Sequence, residues 1–358
     1  MPKVLHLGWS FSNHVTRWVY GLKERGWECG LLTYDGDPLP SVPTYIIKRK
    51  RFGKLGYLLA LREMRQIVAD FQPDIIHAHY AAGFGLWGAL SGVRPFVVSG
   101  WGTDIVTTAR APLSGAPVRW ALQQADSVLV TSQFLKDVVA TMSLRLKTEP
   151  RVIPFGIDIA ALQEKTFSKR KDNRVRILFF KHHKSIYGPR ELLRAFASIA
   201  ERFPNATLTM AGKGPLTDEL QTLSAELGIQ HRVTFPGFID NKHALSYIAG
   251  HDIMVMPSLV AEGFGVAALE ALAVGVPVIA SNSGAVNEIV DDNQSGLLID
   301  PANTDQLSGA LARLIEDSDL RKRFGEYGKQ RVAERYNWKN NLAEMETVYN
   351  YLLKAKRL

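Results

Sequence analysis

The chain contains a single cysteine, Cys29, among its 358 residues. No disulfide and no cysteine-based zinc site can form within it, which favours a reducing compartment. Long hydrophobic runs are also missing: the most apolar stretch, Tyr80 to Val93, has 14 residues, whereas a membrane span needs about 20. The first residues, MPKVLHLGWS, have the pattern of a strand and not of a signal peptide. These absences predict a cytoplasmic protein without a transmembrane helix.

Acidic charge is scarce in the first part of the chain. Residues 1–160 contain 18 lysines and arginines against 12 aspartates and glutamates, whereas the remainder contains 25 against 23. The densest basic patch, Lys48 to Lys54 (KRKRFGK), is either a solvated turn or a contact for an anionic membrane or a phosphorylated acceptor. In the second case the protein would lie peripherally at the inner face of the cell membrane. Nucleic acid is not expected as a partner, because no recognised binding motif is present.

Short apolar strands alternate with helical patterns along almost the whole chain. The alternation stops over residues 157–174, which are polar and charged, and then restarts with RILFFK at 176–181. Continuous apolar strands alternating with helices are typical of parallel sheets covered on both faces. We therefore predict an α/β protein with two Rossmann-like domains facing each other across a cleft. The predicted parts are residues 1–160, a linker at 161–174, residues 175–335, and a C-terminal helix at 336–358 that packs back on the N-terminal domain.

The segment AEGFGVAALEALAVGVPVIAS places two glutamates, Glu262 and Glu270, in an otherwise small and apolar run. It follows a strand that ends at IMVMPS, so Glu262 lies in a loop and Glu270 inside the following helix. The amides of Gly263 to Val266 would be the unsatisfied donors of a helix N-terminus, which attract phosphate. Two carboxylates and such a loop suit a hydroxyl-rich, phosphate-bridged ligand such as a nucleotide-sugar. The alternative is a helix-terminal charge and a surface glutamate.

This segment resembles the signature of the retaining glycosyltransferases of family 4, which have the two-domain GT-B fold. The glutamates have the E-x7-E spacing of that family, and the resemblance continues through most of the C-terminal half. In the N-terminal half it is looser. The matching pieces are Pro257-Ser258, Glu262-Gly263-Phe264-Gly265, Leu269-Glu270-Ala271, Gly275-Val276-Pro277-Val278, Gly284-Ala285, Glu288-Ile289-Val290, Ala211-Gly212-Lys213-Gly214-Pro215, Phe235-Pro236-Gly237-Phe238, Asp74-Ile75-Ile76-His77-Ala78-His79, Gly102-Thr103-Asp104 and Val152-Ile153-Pro154-Phe155-Gly156-Ile157-Asp158.

The resemblance implies a nucleotide-sugar-binding C-terminal domain and an acceptor-binding N-terminal domain. Glu270 would bind the ribose hydroxyls, and Glu288 would support the site. Glu262 and the backbone from Gly263 to Val266 would hold the transferred sugar and the pyrophosphate. The strand end near Gly237 would frame the base. The donor-binding residues expected in this way are Glu270, Gly263, Phe264, Gly265, Val266, Gly212, Gly237 and His182, with Glu262 assigned to catalysis.

Two family positions are altered in FFKHHKSIYG. The family carries an arginine and a lysine there, and these positions fall near His182 and on Tyr187. A cation is needed because negative charge grows on the leaving diphosphate as the glycosidic bond breaks. We expect Lys181 and Lys184 to supply it, although a solvated loop is the simpler interpretation of both lysines.

The N-terminal half also departs from the family. The chain has Ser99 to Asp104 (SGWGTD) where many members have a His-Gly, and GWSFSNHV without a Gly-Gly after the first strand. We expect Asp104 to contact the sugar or the acceptor. The acceptor-side candidates are Asn13, His14, His79 and Trp101, with a structural role as the alternative for His14.

Metal ligands are weakly indicated. His77 and His79 lie on one face of a strand because side chains alternate, but no third ligand is obvious from the sequence. The Asp35-Gly36-Asp37 motif lies in a turn by its composition. We therefore expect no metal site and no cofactor, with the nucleotide-sugar acting as co-substrate.

The sequence thus predicts a retaining glycosyltransferase that moves a hexose-type sugar from a UDP- or GDP-sugar. The acceptor would be a glycan, a lipid-linked molecule or a small molecule, in the synthesis of cell-envelope or surface polysaccharide. A sugar-nucleotide epimerase of the same fold and a catalytically silent nucleotide-sugar-binding protein remain alternatives. A nicotinamide oxidoreductase is disfavoured because GWSFSNH lacks G-x-G-x-x-G.

Overall fold

The computed structural model describes residues 1–48, 56–164 and 172–356. The chain forms two compact units, one made of Met1–Phe155 with Lys339–Leu358 and the other of Gly156–Trp338. Residues 165–171 of the predicted linker 161–174 lie outside the described residues, and so does all of the basic patch Lys48 to Lys54 except its first residue. No helix in the described ranges is long and apolar enough to cross a membrane.

The first unit is an α/β unit with one parallel sheet. Its strands are β1 (Lys3–Leu7), β2 (Glu28–Tyr34), β3 (Thr44–Ile47), β4 (Ile75–His79), β5 (Phe96–Gly100), β6 (Ser127–Val130) and β7 (Arg151–Val152). Its helices before residue 156 are α1 (Asn13–Glu24), α2 (Gly56–Leu59), α3 (Leu61–Phe71), α4 (Phe84–Leu90), α5 (Ala116–Gln124) and α6 (Gln133–Ala140), with a π-helix at Asp104–Ala109. Over the described residues the strands are arranged in the order β3-β2-β1-β4-β5-β6-β7, and every pair is parallel.

The second unit repeats this architecture. Its strands are β8 (Val175–Phe180), β9 (Ala206–Ala211), β10 (Val233–Gly237), β11 (Ile253–Met256), β12 (Val278–Ser281) and β13 (Gly296–Ile299). The helices that follow α6 are α7 (Ile159–Gln163), α8 (Pro189–Ala200), α9 (Thr217–Glu226), α10 (Asn241–Ala249), α11 (Val266–Ala273), α12 (Val286–Ile289), α13 (Thr304–Glu316), α14 (Ser318–Arg335) and α15 (Trp338–Lys356). Over the described residues the parallel sheet has the order β10-β9-β8-β11-β12-β13.

The central strands are buried on both faces, which explains their continuous apolar sequences. In β1, Val4, Leu5 and Leu7 are fully buried, and β11 is buried from Ile253 to Met256. Helices cover both faces of each sheet, so no alternation of apolar and polar residues is needed. The predicted α/β class with two parallel sheets is therefore confirmed.

In each sheet the strand order reverses beside the first strand of the unit. Strand β1 lies between β2 and β4, and β8 lies between β9 and β11. In open α/β sheets, ligands bind outside the carboxyl ends of the strands at such a reversal. The loops after β8 and β11 therefore lie where a ligand of the second unit is expected, and they contain Lys181 and Glu262.

The C-terminal helix α15 belongs to the first unit over nearly its whole length. Trp27 Nε1 donates to Glu346 Oε1 at 3.0 Å, and Arg25 Nε donates to Glu346 Oε2 at 2.8 Å. Asn341 Nδ2 donates to the carbonyl of Pro154 at 2.8 Å. These contacts join α15 to the turn that follows α1 and to the segment that follows β7.

Candidate functional site

An ion pair joins the loops that follow β8 and β11. Glu262 Oε1 accepts hydrogen bonds from Lys181 Nζ at 2.6 Å and from Ser258 Oγ at 2.7 Å. The side chains of Lys181 and Glu262 are only 17% and 13% exposed, so the pair is screened less than a surface ion pair. The structure thus brings together two of the predicted catalytic residues from distant parts of the chain.

Lys181 is held by an aromatic ring as well as by Glu262. Its ammonium lies 4.6 Å from the ring centroid of Tyr187, close enough for a favourable cation–π contact. Burial and the charge of Glu262 raise the pKa of Tyr187, so the phenol stays neutral at physiological pH. Tyr187 occupies the position at which the resemblance implies a lysine, and the lysine in contact with it comes instead from the end of β8.

Lys184 and His182 lie at the surface of the same loop. Both are exposed, and the main-chain N–H of Lys184 donates to the carbonyl of His182 at 2.8 Å. The structure therefore places Lys181 against Glu262 and leaves Lys184 in solvent. Both lysines were predicted from the sequence to supply the positive charge, and Lys181 is the one that contacts Glu262.

Two glycines fix the backbone around Glu262. Gly284 has a φ of +72°, and a Cβ on it would meet the carbonyl oxygen of Glu262 and lie 2.6 Å from its nitrogen. The close approach lets the N–H of Ala285 donate to the carbonyl of Glu262 at 2.8 Å. Gly265 precedes α11 with a φ of +96°, a conformation that side chains disfavour. The loop Glu262–Gly265 is thus positioned by the segment that begins at Gly284.

Helix α11 begins at Val266, directly after this loop. The N-terminus of a helix carries the positive end of the helix dipole, and its first amides in general lack intrahelical acceptors. Glu270 lies in the second turn of the helix and is half-buried, whereas Phe264 and Gly265 are buried. The predicted arrangement of a loop carboxylate, a helix N-terminus and a second carboxylate is therefore present in the local structure.

The ends of β8, β9 and β10 meet beside Lys181. The N–H of Gly212 donates to the carbonyl of Gly237 at 2.9 Å, and the N–H of Lys181 donates to the carbonyl of Ala211 at 3.2 Å. His182 Nδ1 lies 3.2 Å from the carbonyl oxygen of Lys213. The predicted donor residues Gly212, Gly237 and His182 thus lie at the carboxyl ends of neighbouring strands of the second sheet.

Asp104 has a different environment from the one expected. Its side chain is fully buried, and its carboxylate accepts from the N–H groups of Ala81 at 2.7 Å, Gly102 at 2.9 Å and Trp101 at 3.1 Å. Burial raises the pKa of Asp104, and these hydrogen bonds oppose that effect. Asp104 therefore holds the loop before the π-helix, and the expectation that it contacts sugar or acceptor is not supported.

The acceptor-side candidates form part of an aromatic cluster in the first unit. The ring of His14 stacks on Phe155 with centroids 4.1 Å apart, and Trp101 meets both rings edge-on at 5.9 and 5.4 Å. Burial and the charge of Arg17 lower the pKa of His14 to about 4. Asn13 is exposed, and His14 and Trp101 are partly exposed. His79 is fully buried, so a direct contact with an acceptor is not supported for it.

A third histidine, which was not obvious from the sequence, joins His77 and His79. His6 lies opposite His77 on the neighbouring strand, and one ring nitrogen from each of the three residues lies within 4.8 Å of the others. His6 Nδ1 and His79 Nε2 are hydrogen-bonded at 2.8 Å, while His77 contacts Tyr349 Oη at 2.5 Å and Ser99 Oγ at 2.8 Å.

The histidine nitrogens that point at one another are therefore already hydrogen-bonded. His6 Nε2 and His79 Nδ1, which would need outer partners in a metal site, are buried without a hydrogen-bond partner among the described residues. These features fit a buried network of neutral imidazoles better than a metal centre. The sequence could not reveal His6, because the pairing of β1 with β4 is a property of the folded sheet.

Comparisons with known proteins match this chain to glycosyltransferase families. The family model for glycosyl transferases group 1 matches residues 162–331, and the model for glycosyl transferase 4-like proteins matches residues 3–132. An uncharacterised glycosyltransferase of Methanocaldococcus jannaschii is 32% identical over 236 residues. The match covers 63% of this chain and 60% of that relative.

Two solved structures are similar over almost the whole chain. Sucrose-phosphate synthase from Thermosynechococcus elongatus has a TM-score of 0.85 at 21% identity, covering 99% of this chain and 100% of the other. HepE of Anabaena, solved in complex with UDP and glucose, has a TM-score of 0.82 at 19% identity, covering 98% and 100%. At these identities the likeness shows a shared fold.

Proposed function

The chain belongs to the group 1 glycosyltransferases of family 4, which have the GT-B fold, and we propose that it transfers a hexose-type sugar, with retention of configuration, from a UDP- or GDP-sugar. The observation that supports this most directly is the Lys181–Glu262 pair beside the N-terminus of α11. A cation, a carboxylate and the positive end of a helix dipole together suit a sugar diphosphate. The UDP and glucose bound by the solved HepE are consistent with such a donor.

In the proposed donor complex, each group has a defined task. The amides from Gly263 to Val266 bind the diphosphate, and Glu270 accepts hydrogen bonds from the ribose hydroxyls. Gly212, Gly237 and His182 frame the base and the diphosphate from the neighbouring strand ends. Among the described residues, both hydrogen bonds to the side chain of Glu262 end on Oε1, and we propose that Oε2 accepts from a sugar hydroxyl.

Lys181 supports the chemical step by stabilising the leaving group. As the bond between the anomeric carbon and the diphosphate breaks, negative charge grows on the phosphate oxygen, and a nearby ammonium lowers the barrier. The acceptor hydroxyl forms its bond to the same face of the anomeric carbon, and its proton passes to the departing phosphate. No metal ion is required, because Lys181 and the helix amides neutralise the diphosphate.

The acceptor is assigned to the first unit, where Asn13, His14 and Trp101 are exposed or partly exposed. We propose a glycan, a lipid-linked molecule or a small hydroxylated molecule, in the synthesis of cell-envelope or surface polysaccharide. The proposed location is the cytoplasm, with Lys48 to Lys54 contacting the anionic inner face of the membrane. Liposome flotation tests that contact: binding that survives alanine at all five basic positions would reject the patch as the anchor.

The donor assignment is tested by calorimetric titration with UDP, GDP and ADP, followed by the corresponding sugars. We expect one diphosphate to bind in the micromolar range, and its sugar to be consumed only when an acceptor is added. Conversion of the donor without acceptor would indicate the epimerase alternative. Binding without turnover across an acceptor panel would indicate the silent binding protein.

The role of Lys181 is tested by Lys181→Met, which keeps the aliphatic stem and removes the charge. We expect turnover to fall about 100-fold, the usual effect of losing one charge-stabilising donor. Lys322→Met, on the exposed surface of α14, is the matched control, and Lys184→Met should cause a smaller loss than Lys181→Met. The double variant Lys181→Gly with Tyr187→Lys moves the lysine to position 187, where the family has it, and we expect this variant to recover turnover. Equal losses in all three single variants would remove Lys181 from the mechanism.

A further inference from the structure

Two side chains of the C-terminal part of the second unit bind the end of helix α12. Tyr336 Oη donates to the carbonyl of Glu288 at 2.7 Å, and Arg331 Nη2 donates to the same carbonyl at 2.8 Å. Arg331 Nε donates to the carbonyl of Ile289 at 3.2 Å, and Nη1 pairs with Asp291 at 2.6 Å. The last carbonyls of a helix have no intrahelical donor, so these bonds fix the end of α12.

Helix α12 in turn contacts the Glu262–Gly265 loop. A Cβ built on Gly265 would lie 3.2 Å from Val286 Cγ2 and 3.6 Å from Ile289 Cδ1, so the loop backbone rests directly on α12. Just before α12, the N–H of Ala285 donates to the carbonyl of Glu262 at 2.8 Å. A shift of α12 therefore displaces both ends of the loop.

Tyr336 also contacts the loop itself. Its ring meets the ring of Phe264 edge-on, with centroids 5.9 Å apart and an interplanar angle of 75°. Phe264 is 4% exposed and Tyr336 is 7% exposed, so neither ring can move without opening a cavity.

The backbone of Tyr336 is fixed independently of the loop. Its carbonyl accepts from the N–H of Ile157 at 2.7 Å, and the N–H of Trp338 donates to the carbonyl of Ile157 at 2.9 Å. Tyr336 therefore connects two places: its main chain is bound to the segment at Ile157, and its side chain is bound to α12 and Phe264.

From these contacts we propose that Tyr336 and Arg331 are positioning residues for the Glu262–Gly265 loop and thereby set the affinity for the diphosphate part of the donor. The inference rests on the proposed function, because that loop is assigned to the diphosphate and the sugar. Neither residue is assigned a contact with the donor. We expect their effect to be largest at the loop, because Gly237 lies at the end of β10 and Glu270 lies in the second turn of α11, outside the contacts described above.

The test compares UDP with UMP, or GDP with GMP if the wild-type protein binds guanine nucleotides. Tyr336→Phe removes only the hydroxyl and its bond to Glu288. We expect the affinity for the diphosphate to fall about 5- to 10-fold, the effect of losing one hydrogen bond, and the affinity for the monophosphate to change less than about 2-fold. Arg331→Lys, which keeps a charge beside Asp291 but loses the fork to both carbonyls, should give the same pattern.

Tyr327→Phe is the matched control. Tyr327 lies on α14, as Arg331 does, and its hydroxyl donates to Asp291 Oδ2 at 2.7 Å instead of to an α12 carbonyl. Both nucleotide affinities should stay within about 2-fold of wild type in this variant, and melting temperatures of all variants show whether stability alone has changed.

The outcomes separate this inference from the proposed function. A wild-type protein that binds neither UDP nor GDP overturns both. Wild-type binding with unchanged diphosphate affinity in Tyr336→Phe and Arg331→Lys overturns the inference alone. An equal loss for monophosphate and diphosphate also overturns it, since a purely structural defect would lower both.

Discussion

Acidification is expected to destabilise the first unit through its buried histidines. His6, His77 and His79 are fully buried, and burial lowers the pKa of His6 to about 3 and the pKa values of the other two well below the usual value. Burial and the charge of Arg17 lower the pKa of His14 to about 4. All four rings are therefore neutral in the folded protein at pH values above about 5.

The sign and size of the effect follow from proton linkage. In the unfolded chain each histidine titrates with a pKa near 6.5, so the unfolded state binds protons on acidification while the folded state does not. The stabilising contribution is present above pH 6.5 and is lost as the pH falls below it. Lowering the pH from 7.5 to 5.5 reduces the free energy of unfolding by about 1.4 kcal/mol for each ring. For the four rings together the reduction is about 5 kcal/mol.

That loss is comparable to the whole stability of many domains, which is about 5–15 kcal/mol. Asp104 acts in the opposite direction, because burial raises its pKa and its protonation at low pH favours the folded state. One such group offsets only part of the histidine effect. The second unit should depend less on pH over this range, although burial lowers the pKa of His183 there too.

Urea unfolding at pH 7.5 and 5.5, followed by tryptophan fluorescence, measures the effect. Six of the seven tryptophans belong to the first unit, and Trp338 belongs to the second. His6→Gln should reduce the difference between the two pH values by about 1.4 kcal/mol, since it removes one titrating ring. An unchanged free energy of unfolding between pH 7.5 and 5.5, or a difference that His6→Gln leaves intact, would refute the argument.

Three further predictions concern the second unit. Glu270→Gln should weaken nucleotide diphosphate binding about 10-fold in calorimetry, as expected for the loss of charged hydrogen bonds to ribose. The control Glu226→Gln, at an exposed position of α9, should leave the affinity unchanged. If Glu270→Gln unfolds the protein while the folded fraction binds with normal affinity, Glu270 is structural. Gly284→Ala should destabilise the unit by about 1–3 kcal/mol in urea and abolish turnover, because its Cβ meets the Glu262 backbone at a positive φ; wild-type behaviour would contradict that contact. Chelation with EDTA should leave turnover within about 2-fold, because the ammonium of Lys181 replaces a metal at the diphosphate; a lasting loss that Mg²⁺ restores would show metal dependence.

Sequence patterns predicted the fold class because buried parallel strands have a local signature. Segments such as VLHLGW and IMVMPS are continuous apolar runs, and they form β1 and β11. The register between strands has no such signature. His6 is opposite His77 only because β1 pairs with β4, which follows it after a long intervening segment. No local pattern in the sequence therefore indicates the third histidine.

The local arrangement of the candidate site was predictable where one segment contains it. Glu262, the glycines after it and Glu270 follow one another along a strand exit and a helix, so their spacing fixes their approximate arrangement. The environment of Asp104 was not predictable, because an aspartate after a strand can face a ligand or accept backbone N–H groups within its own loop. Only the folded loop shows that its carboxylate accepts from Ala81, Gly102 and Trp101.

Lys181 shows why an altered motif can preserve a charge. The proposed chemistry requires a cation near Glu262 but does not require that cation to come from a particular position in the chain. A lysine stem is long enough to reach Glu262 from the end of β8, and the ring of Tyr187 lies beneath the ammonium where the family's own lysine would begin. Tyr187 stands where the family has a lysine, and its aromatic face contacts Lys181, which comes from the end of β8. Whether such a departure weakens a site depends on where the charged atom lies in the folded protein, and here it lies 2.6 Å from the carboxylate it must accompany.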